Sequence, residues 1–181
     1  MLAVFSMFFV IPDEKYFEYI DFRTLGILFS LMALMAGFQS MGVFEEISRK
    51  LLNKVNNIRQ LVVTLTLLCF FFSMIITNDV ALITFVPFTF VLFDMLGQTE
   101  EKKWLIPVVI LQTIAANLGS MLTPIGNPQN LYLYGKSGMA FEKFILLMLP
   151  YTVLSLAILL ISNFAIGSFG NKKITVSLNM F

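Results

Sequence analysis

The stretch that decides the fold is AANLGSMLTPIGNPQN, residues 115–130. It follows an apolar run from Trp104 that would make a good membrane helix. Glycines and prolines then crowd together, at Gly119, Pro124, Gly126 and Pro128. Because proline removes a backbone donor and glycine weakens a helix, the helix is predicted to break here. Inside a membrane, such a break is tolerated only where it is buried in protein or lines a cavity.

Polar side chains accompany this break and suit the binding of a small ligand. They are Asn117, Ser120, Thr123, Asn127, Gln129 and Asn130. Their oxygens and amides, with the carbonyls that the break frees, are typical of a small-ion or anion site in a discontinuous membrane helix. The alternative is an ordinary Pro/Gly/Asn turn in a loop exposed to water. The residues alone leave both interpretations open.

Composition places the chain in the membrane. Its 181 residues are 58% hydrophobic and 13% charged, whereas soluble domains carry about 25% charged residues. A net charge of +1 without a basic aromatic-rich run gives no support for nucleic-acid binding. With no histidine and the single cysteine Cys69, the usual zinc ligand sets, histidine-based catalysis and an internal disulfide are excluded. We predict no enzyme activity and no bound cofactor.

The chain is predicted to form one all-α, polytopic membrane domain over residues 1–181. The expected segments are a partial span at residues 1–12, a span at 24–44, a hairpin at 61–96, a broken helix at 104–134 and a final span at 141–169. In the span at 24–44, small residues recur at helical spacing and offer a close-packing face. They are Gly26, Ser30, Ala33, Gly37 and Ser40.

The stretch 61–96 is too long for one membrane span and short for two. The sequence TND, residues 77–79, interrupts it near the middle. Each arm falls a little short of the ~20 residues that a full crossing needs. A re-entrant helical hairpin with Thr77, Asn78 and Asp79 at its tip fits these lengths.

Basic residues favour a hairpin over a single span at 61–96. With a hairpin, eight lie on the cytoplasmic side: Arg49, Lys50, Lys54, Arg59, Lys102, Lys103, Lys172 and Lys173. Four lie outside: Lys15, Arg23, Lys136 and Lys143. A single span would reverse the membrane orientation of every later segment and place six basic residues on each side. The positive-inside rule therefore favours the hairpin, and it does not distinguish a re-entrant hairpin from two full spans.

Asp79 is the acidic residue that hydropathy places deepest in the membrane. A charge at the bilayer centre costs at least ~2.5–3.5 kcal/mol on insertion scales, so this side chain should face a cavity or a partner. There it can bind a cation or accept a proton. The structural alternative is that Asp79 caps the second hairpin helix by accepting backbone N–H bonds.

The segments TNDVALITFVPFTF and AANLGSMLTPIGNPQN resemble the two signature segments of the ion transporter superfamily. This superfamily holds arsenite and anion permeases, divalent-anion/sodium symporters, citrate transporters and certain sodium/proton antiporters. The resemblance covers most of residues 20–166 and implies an inverted-repeat transporter. Each repeat contributes a hairpin tip and an unwound helix to the ion and substrate site, and this chain resembles one repeat, the N-terminal half.

The resemblance also implies roles for individual residues. Thr77 and Asn78 match the ion and carboxylate ligands of the symporter tip, and Asp79 departs from its third position, which is threonine. A carboxylate there repels an anionic substrate unless it is protonated or paired with a cation. In the second segment, the family places the ligands of its unwound helix at positions that correspond to Asn117, Gly119, Thr123, Gly126 and Asn127.

From these observations we expect secondary transport of a small anion coupled to Na⁺ or H⁺, carried out by one half of a transporter in the plasma (inner) membrane. A cation/proton antiporter or an arsenite-type exporter is the alternative within transport. A truncated membrane subunit without transport of its own is the alternative outside it. The expected partners are the lipid bilayer, the substrate, and a second transporter half or another copy of the chain.

Overall fold

The computed structural model describes residues 20–42, 46, 57–96 and 98–167, and within them the chain folds into six α-helices. They are α1 (Phe22–Ser40), α2 (Ile58–Phe72), α3 (Asn78–Leu96), α4 (Gln98–Ser120), α5 (Pro128–Ser137) and α6 (Phe141–Gly167). The partial span predicted at residues 1–12 lies outside the described residues.

Helix α1 has clear signals at both ends. Asp21 caps its start: one carboxylate oxygen accepts the Thr24 backbone N–H and the other accepts the Thr24 hydroxyl, each at 3.0 Å. The helix ends at Ser40, and Gly42 follows with a φ of 67°, a left-handed conformation that glycine adopts without strain. The helix therefore ends before the predicted limit of the span at 24–44, because a glycine turn begins there.

A short turn, residues 73–77, joins α2 to α3 and makes a helical hairpin of the predicted stretch 61–96. Helix α2 starts earlier than predicted because Asn57 caps it, accepting the Gln60 backbone N–H at 2.8 Å. At its other end, the Ser73 hydroxyl donates to the Phe70 carbonyl oxygen at 2.9 Å. Since α3 begins at Asn78, the TND residues lie at its start.

The core is a bundle of three helices in which α4 packs against both α2 and α3. Its buried side chains include Leu61, Leu65 and Phe70 of α2, Phe85, Leu92 and Phe93 of α3, and Trp104, Val108 and Leu111 of α4. Helix α6 packs on α4 and α2, and α1 contacts α5. In a bilayer such helices are held by van der Waals contact and interhelical hydrogen bonds, since lipid is as apolar as the side chains.

Among the described helices, α6 alone contains a segment long and apolar enough to cross a membrane by itself, Phe141–Ala165, with a mean hydropathy of 2.6. Three others contain shorter apolar segments: Phe22–Leu34, Ile58–Phe72 and Trp104–Ser120. The predicted final span at 141–169 begins where α6 begins. Its last two residues lie outside the described part of the chain.

Candidate functional site

Two interruptions of the helices meet in space, the turn at residues 73–77 and the break at residues 121–127. The Asn78 backbone N–H donates to the Gly126 carbonyl oxygen at 2.9 Å. The Thr123 hydroxyl donates to the Met74 carbonyl oxygen at 2.6 Å. These two bonds join the hairpin to the α4–α5 break and fix one against the other.

Inside the break, two asparagines hold the chain in place. The Asn127 side chain caps α5 by accepting the Asn130 backbone N–H at 2.7 Å, and its Nδ2 lies 3.2 Å from the Ser120 hydroxyl. The Asn130 Nδ2 donates to the carbonyl oxygens of Met121 and Thr123, at 2.8 and 3.2 Å. Carbonyl oxygens freed by the break are thus bonded to a side-chain amide of the protein itself.

The three TND residues at the start of α3 have different surroundings. The Thr77 hydroxyl accepts the Val80 backbone N–H at 3.3 Å, so Thr77 is the cap of this helix. Asp79 lies in the first turn with an exposed side chain, and no described residue donates a hydrogen bond to its carboxylate. The capping role considered for Asp79 therefore belongs to Thr77.

The Asn78 side chain points into the junction between the hairpin and α4. Its Nδ2 donates to the Asn117 Oδ1 at 3.2 Å, while the Asn117 Nδ2 donates to the Thr113 carbonyl oxygen at 2.8 Å. The Asn78 Oδ1 is shielded from solvent and has no hydrogen-bond partner among the described residues. Since a buried acceptor without a partner is costly, this oxygen is the atom in the region most in need of a cation or a donor.

Two glycines allow the backbone to approach this closely. A Cβ at Gly119 would overlap the Phe70 carbonyl oxygen of α2 and the Ser73 hydroxyl. A Cβ at Gly126 would overlap the Ser120 carbonyl oxygen across the break. Both glycines serve close packing here, and neither has a positive φ.

The ten predicted site residues lie in the two interruptions or in the helix turns that flank them: Thr77, Asn78, Asp79, Asn117, Gly119, Ser120, Thr123, Gly126, Asn127 and Asn130. Direct bonds between the hairpin and the α4–α5 segment involve Asn78, Asn117, Thr123 and Gly126. Asp79 lies beside this network without joining it.

Two buried polar pairs escaped the sequence analysis. The Gln112 Nε2 of α4 donates to the Thr89 hydroxyl of α3 at 2.8 Å. The Thr66 hydroxyl lies 3.3 Å from the Asn163 Oδ1, linking α2 to α6. Gln112 and Asn163 lie inside apolar runs, and this could have indicated the two pairs, because polar side chains in membrane helices commonly form hydrogen bonds to an adjacent helix.

Comparison with known proteins gives a family match over most of the chain. The citrate transporter family profile matches residues 1–177. Inner membrane protein YbiR of Escherichia coli K12 is 36% identical over 148 residues, which cover 80% of this chain and 38% of that protein.

Two further relatives are more distant. An uncharacterized transporter of Methanocaldococcus jannaschii, MJ0456, is 32% identical over 151 residues, covering 83% of this chain and 42% of that protein. The silicon efflux transporter LSI3 of Oryza sativa subsp. japonica is 30% identical over 144 residues, which cover 80% of this chain and 29% of that protein. The chain thus spans about two fifths of the length of the first two relatives. No solved structure matches it.

Proposed function

This chain belongs to the citrate transporter family, and we propose that it forms one half of a secondary transporter that moves a small anion together with Na⁺ or H⁺. Membership makes the protein a membrane transporter and not an enzyme. The inner membrane named for the Escherichia coli relative is the location we propose for this chain as well. The finer architecture we propose is one repeat of an inverted pair, with a re-entrant hairpin and a discontinuous helix.

The observation that carries this proposal is the Asn78 Oδ1, which is buried where the hairpin meets the break and has no hydrogen-bond partner in the described part of the chain. Na⁺ prefers oxygen ligands, and an amide oxygen supplies one without adding a negative charge that would repel an anionic substrate. The surrounding bonds from Asn78 to Gly126 and Asn117 hold this oxygen in a fixed position. A preformed position lowers the ordering cost of binding an ion.

Anion binding is supported by the helix ends beside this oxygen. Both α3 and α5 begin at the joined interruptions, with Thr77 and Asn127 as their caps. The first turn of a helix carries a partial positive charge, and in transporters such half-helix N-termini point toward anionic groups. The region therefore offers an acceptor for a cation close to two helix starts that favour an anion.

Sodium binding can be tested on the purified chain by thermal unfolding in NaCl and in choline chloride at equal ionic strength. An ion that binds only the folded state raises its stability by mass action. We expect NaCl to raise the melting temperature of the wild type and not that of Asn78→Ala. Asn163→Ala is the matched control, because it removes a buried asparagine from another part of the bundle. It should lower the melting temperature but keep the response to NaCl. An equal response in Asn78→Ala would contradict a sodium site at this residue.

A second candidate is export of a neutral or metalloid solute, or cation/proton antiport, and Asp79 is the observation that favours it. Its exposed carboxylate lies at the start of α3, where it would repel an anion, and one relative is named a silicon efflux transporter. Within a complete transporter, Asp79→Asn should then abolish the dependence of transport on pH or Na⁺ while the protein still folds. Unchanged ion dependence in that variant would argue against a coupling role for Asp79.

A further inference from the structure

A second concave region lies apart from the junction of the hairpin and the break, where the first turn of α1 meets α5. This α1–α5 pocket encloses about 440 Å³. Its polar lining includes Asp21, Arg23, Tyr132, Tyr134 and Lys136. Its apolar lining includes Phe22 and Leu131. The pocket is therefore amphipathic, with charged and apolar groups facing the same space.

The two cations of the pocket come from different helices. Arg23 lies in the first turn of α1 and Lys136 in the last turn of α5, and both side chains are exposed. Neither forms an ion pair with any carboxylate of the described residues. The Lys136 Nζ lies 5.7 Å from the centre of the Tyr132 ring, which keeps its charge beside the pocket without neutralising it.

The carboxylate of the pocket is already engaged. Asp21 accepts the backbone N–H and the hydroxyl of Thr24, and these bonds, followed by the charge of Lys136, lower the pKa of Asp21. It is therefore ionised at neutral pH and acts as the cap of α1. One carboxylate against Arg23 and Lys136 leaves the pocket with a net positive charge.

We propose that the α1–α5 pocket binds the phosphate group of an anionic membrane lipid. The basic-residue count places Arg23 and Lys136 on the outer side of the membrane, where tyrosines such as Tyr132 and Tyr134 are enriched at headgroup depth. Basic pockets between transmembrane helices bind lipid headgroups on the cytoplasmic side, and the same attraction between a cation and a lipid phosphate acts on the outer side.

The apolar part of the lining favours a lipid over a free phosphate. Inorganic phosphate would use only the two cations, whereas a lipid also places its glycerol and upper acyl carbons against Phe22 and Leu131. The acyl chain could continue along the exposed apolar face of α1, where Leu25 and Phe29 are 53% and 75% exposed. This inference does not depend on the transported substrate or on the coupling ion.

Lipid retention can be measured by native mass spectrometry of the purified full chain titrated with phosphatidylglycerol or with phosphatidylcholine of the same acyl chains. We expect the wild type to prefer phosphatidylglycerol. Arg23→Gln and Lys136→Gln should each reduce this preference roughly fivefold, the effect of about 1 kcal/mol per basic residue near an anionic lipid surface. Lys143→Gln is the matched control, because it removes one charge on the same side of the membrane but outside the pocket. It should leave the preference unchanged.

Three results would overturn the proposal. One is an unchanged preference in both pocket variants, checked to be folded by circular dichroism. Another is an equal loss in Lys143→Gln, which would show a general effect of surface charge. The third is displacement of the lipid by a large excess of inorganic phosphate, which would identify the ligand as a free anion. Arg23→Lys keeps the charge and should keep the preference, which separates charge from helix stability.

Discussion

At the scale of single residues, three consecutive side chains at the start of α3 have three different surroundings. Thr77 is buried and caps the helix, Asn78 turns toward α4, and Asp79 is exposed. Successive residues of an α-helix lie about 100° apart around its axis, so neighbours at a helix start must face different directions. The side chain that stabilises the helix start, Thr77, is therefore different from the candidate ligands beside it, Asn78 and Asp79.

This separation predicts that Thr77, not Asp79, contributes the capping stability. Thr77→Ala should lower the free energy of unfolding by about 1 kcal/mol, the usual loss when a cap is removed. Thr77→Ser keeps an accepting hydroxyl and should lose much less. The measurement is SDS-induced unfolding of the purified chain in mixed micelles. Equal stability of Thr77→Ala and the wild type would show that another group caps α3.

The residue types predict which segments interrupt the helices, but they do not predict which atoms those segments form hydrogen bonds with. The TND and GNPQN segments stand out because glycine, proline and asparagine carry local conformational signals. Their partners include the backbone carbonyl oxygens of Met74 and Gly126, and a carbonyl is present in every residue. The bond from Thr123 to Met74 joins positions 49 apart in sequence, so only the packing of the helices reveals it. Which of Thr77 and Asp79 forms the cap likewise depends on the residue at which α3 begins, and helix ends are hard to predict.

At the scale of helices, the approach of α4 to α2 depends on one glycine. Gly119 lies where a side chain would meet the Phe70 carbonyl oxygen, which belongs to the backbone of α2 and cannot rotate away. Close contact of this kind lets the end of α4 reach the turn at residues 73–77. The bonds from the α4–α5 segment to Met74 and Asn78 require this proximity.

We therefore predict that Gly119→Ala destabilises the chain by about 1–3 kcal/mol, the usual cost of overpacking. Gly26→Ala is the matched control, because a Cβ at Gly26 meets nothing within 4 Å. In a helix interior that change should be neutral or stabilising by up to about 1 kcal/mol. Unfolding in mixed micelles measures both variants. A Gly119→Ala protein as stable as the wild type would mean that α2 and α4 can separate freely.

The hairpin also makes a prediction about topology. Because α2 and α3 are joined by a short turn, their far ends should lie on the same side of the membrane. Gln60 and Asp94 mark these ends and both are exposed. Single cysteines at the two positions, in a Cys69→Ser background, should be labelled by an impermeant maleimide from the same side.

A cysteine at Lys136 should react from the opposite side and serves as the reference for that labelling. Reaction of the Gln60 and Asp94 positions from opposite sides would replace the hairpin with a single span. The six-to-six distribution of basic residues would then be the correct one.

At the scale of the whole molecule, polar side chains at and beside the site are exposed on helices that form the core. Thr113 and Asn117 bond to carbonyl oxygens of α4, whereas no described residue bonds to the exposed Asp79 carboxylate. In a bilayer, polar groups facing hydrocarbon cost several kcal/mol each unless a partner or water satisfies them. The relatives are more than twice as long as the matched region of this chain. We therefore infer that further protein covers Asp79 in the working transporter.

The last prediction is that these 181 residues alone do not transport. Alternating access in an inverted-repeat transporter needs two elements that move around a shared site, and the described residues provide one hairpin and one break. Two copies could supply both elements only by inserting in opposite orientations, and the eight-to-four distribution of basic residues opposes dual orientation. Purified chain in liposomes should show no Na⁺-, H⁺- or anion-driven flux above that of empty vesicles. Saturable flux that Asn78→Ala abolishes would instead show that the chain completes the site by itself.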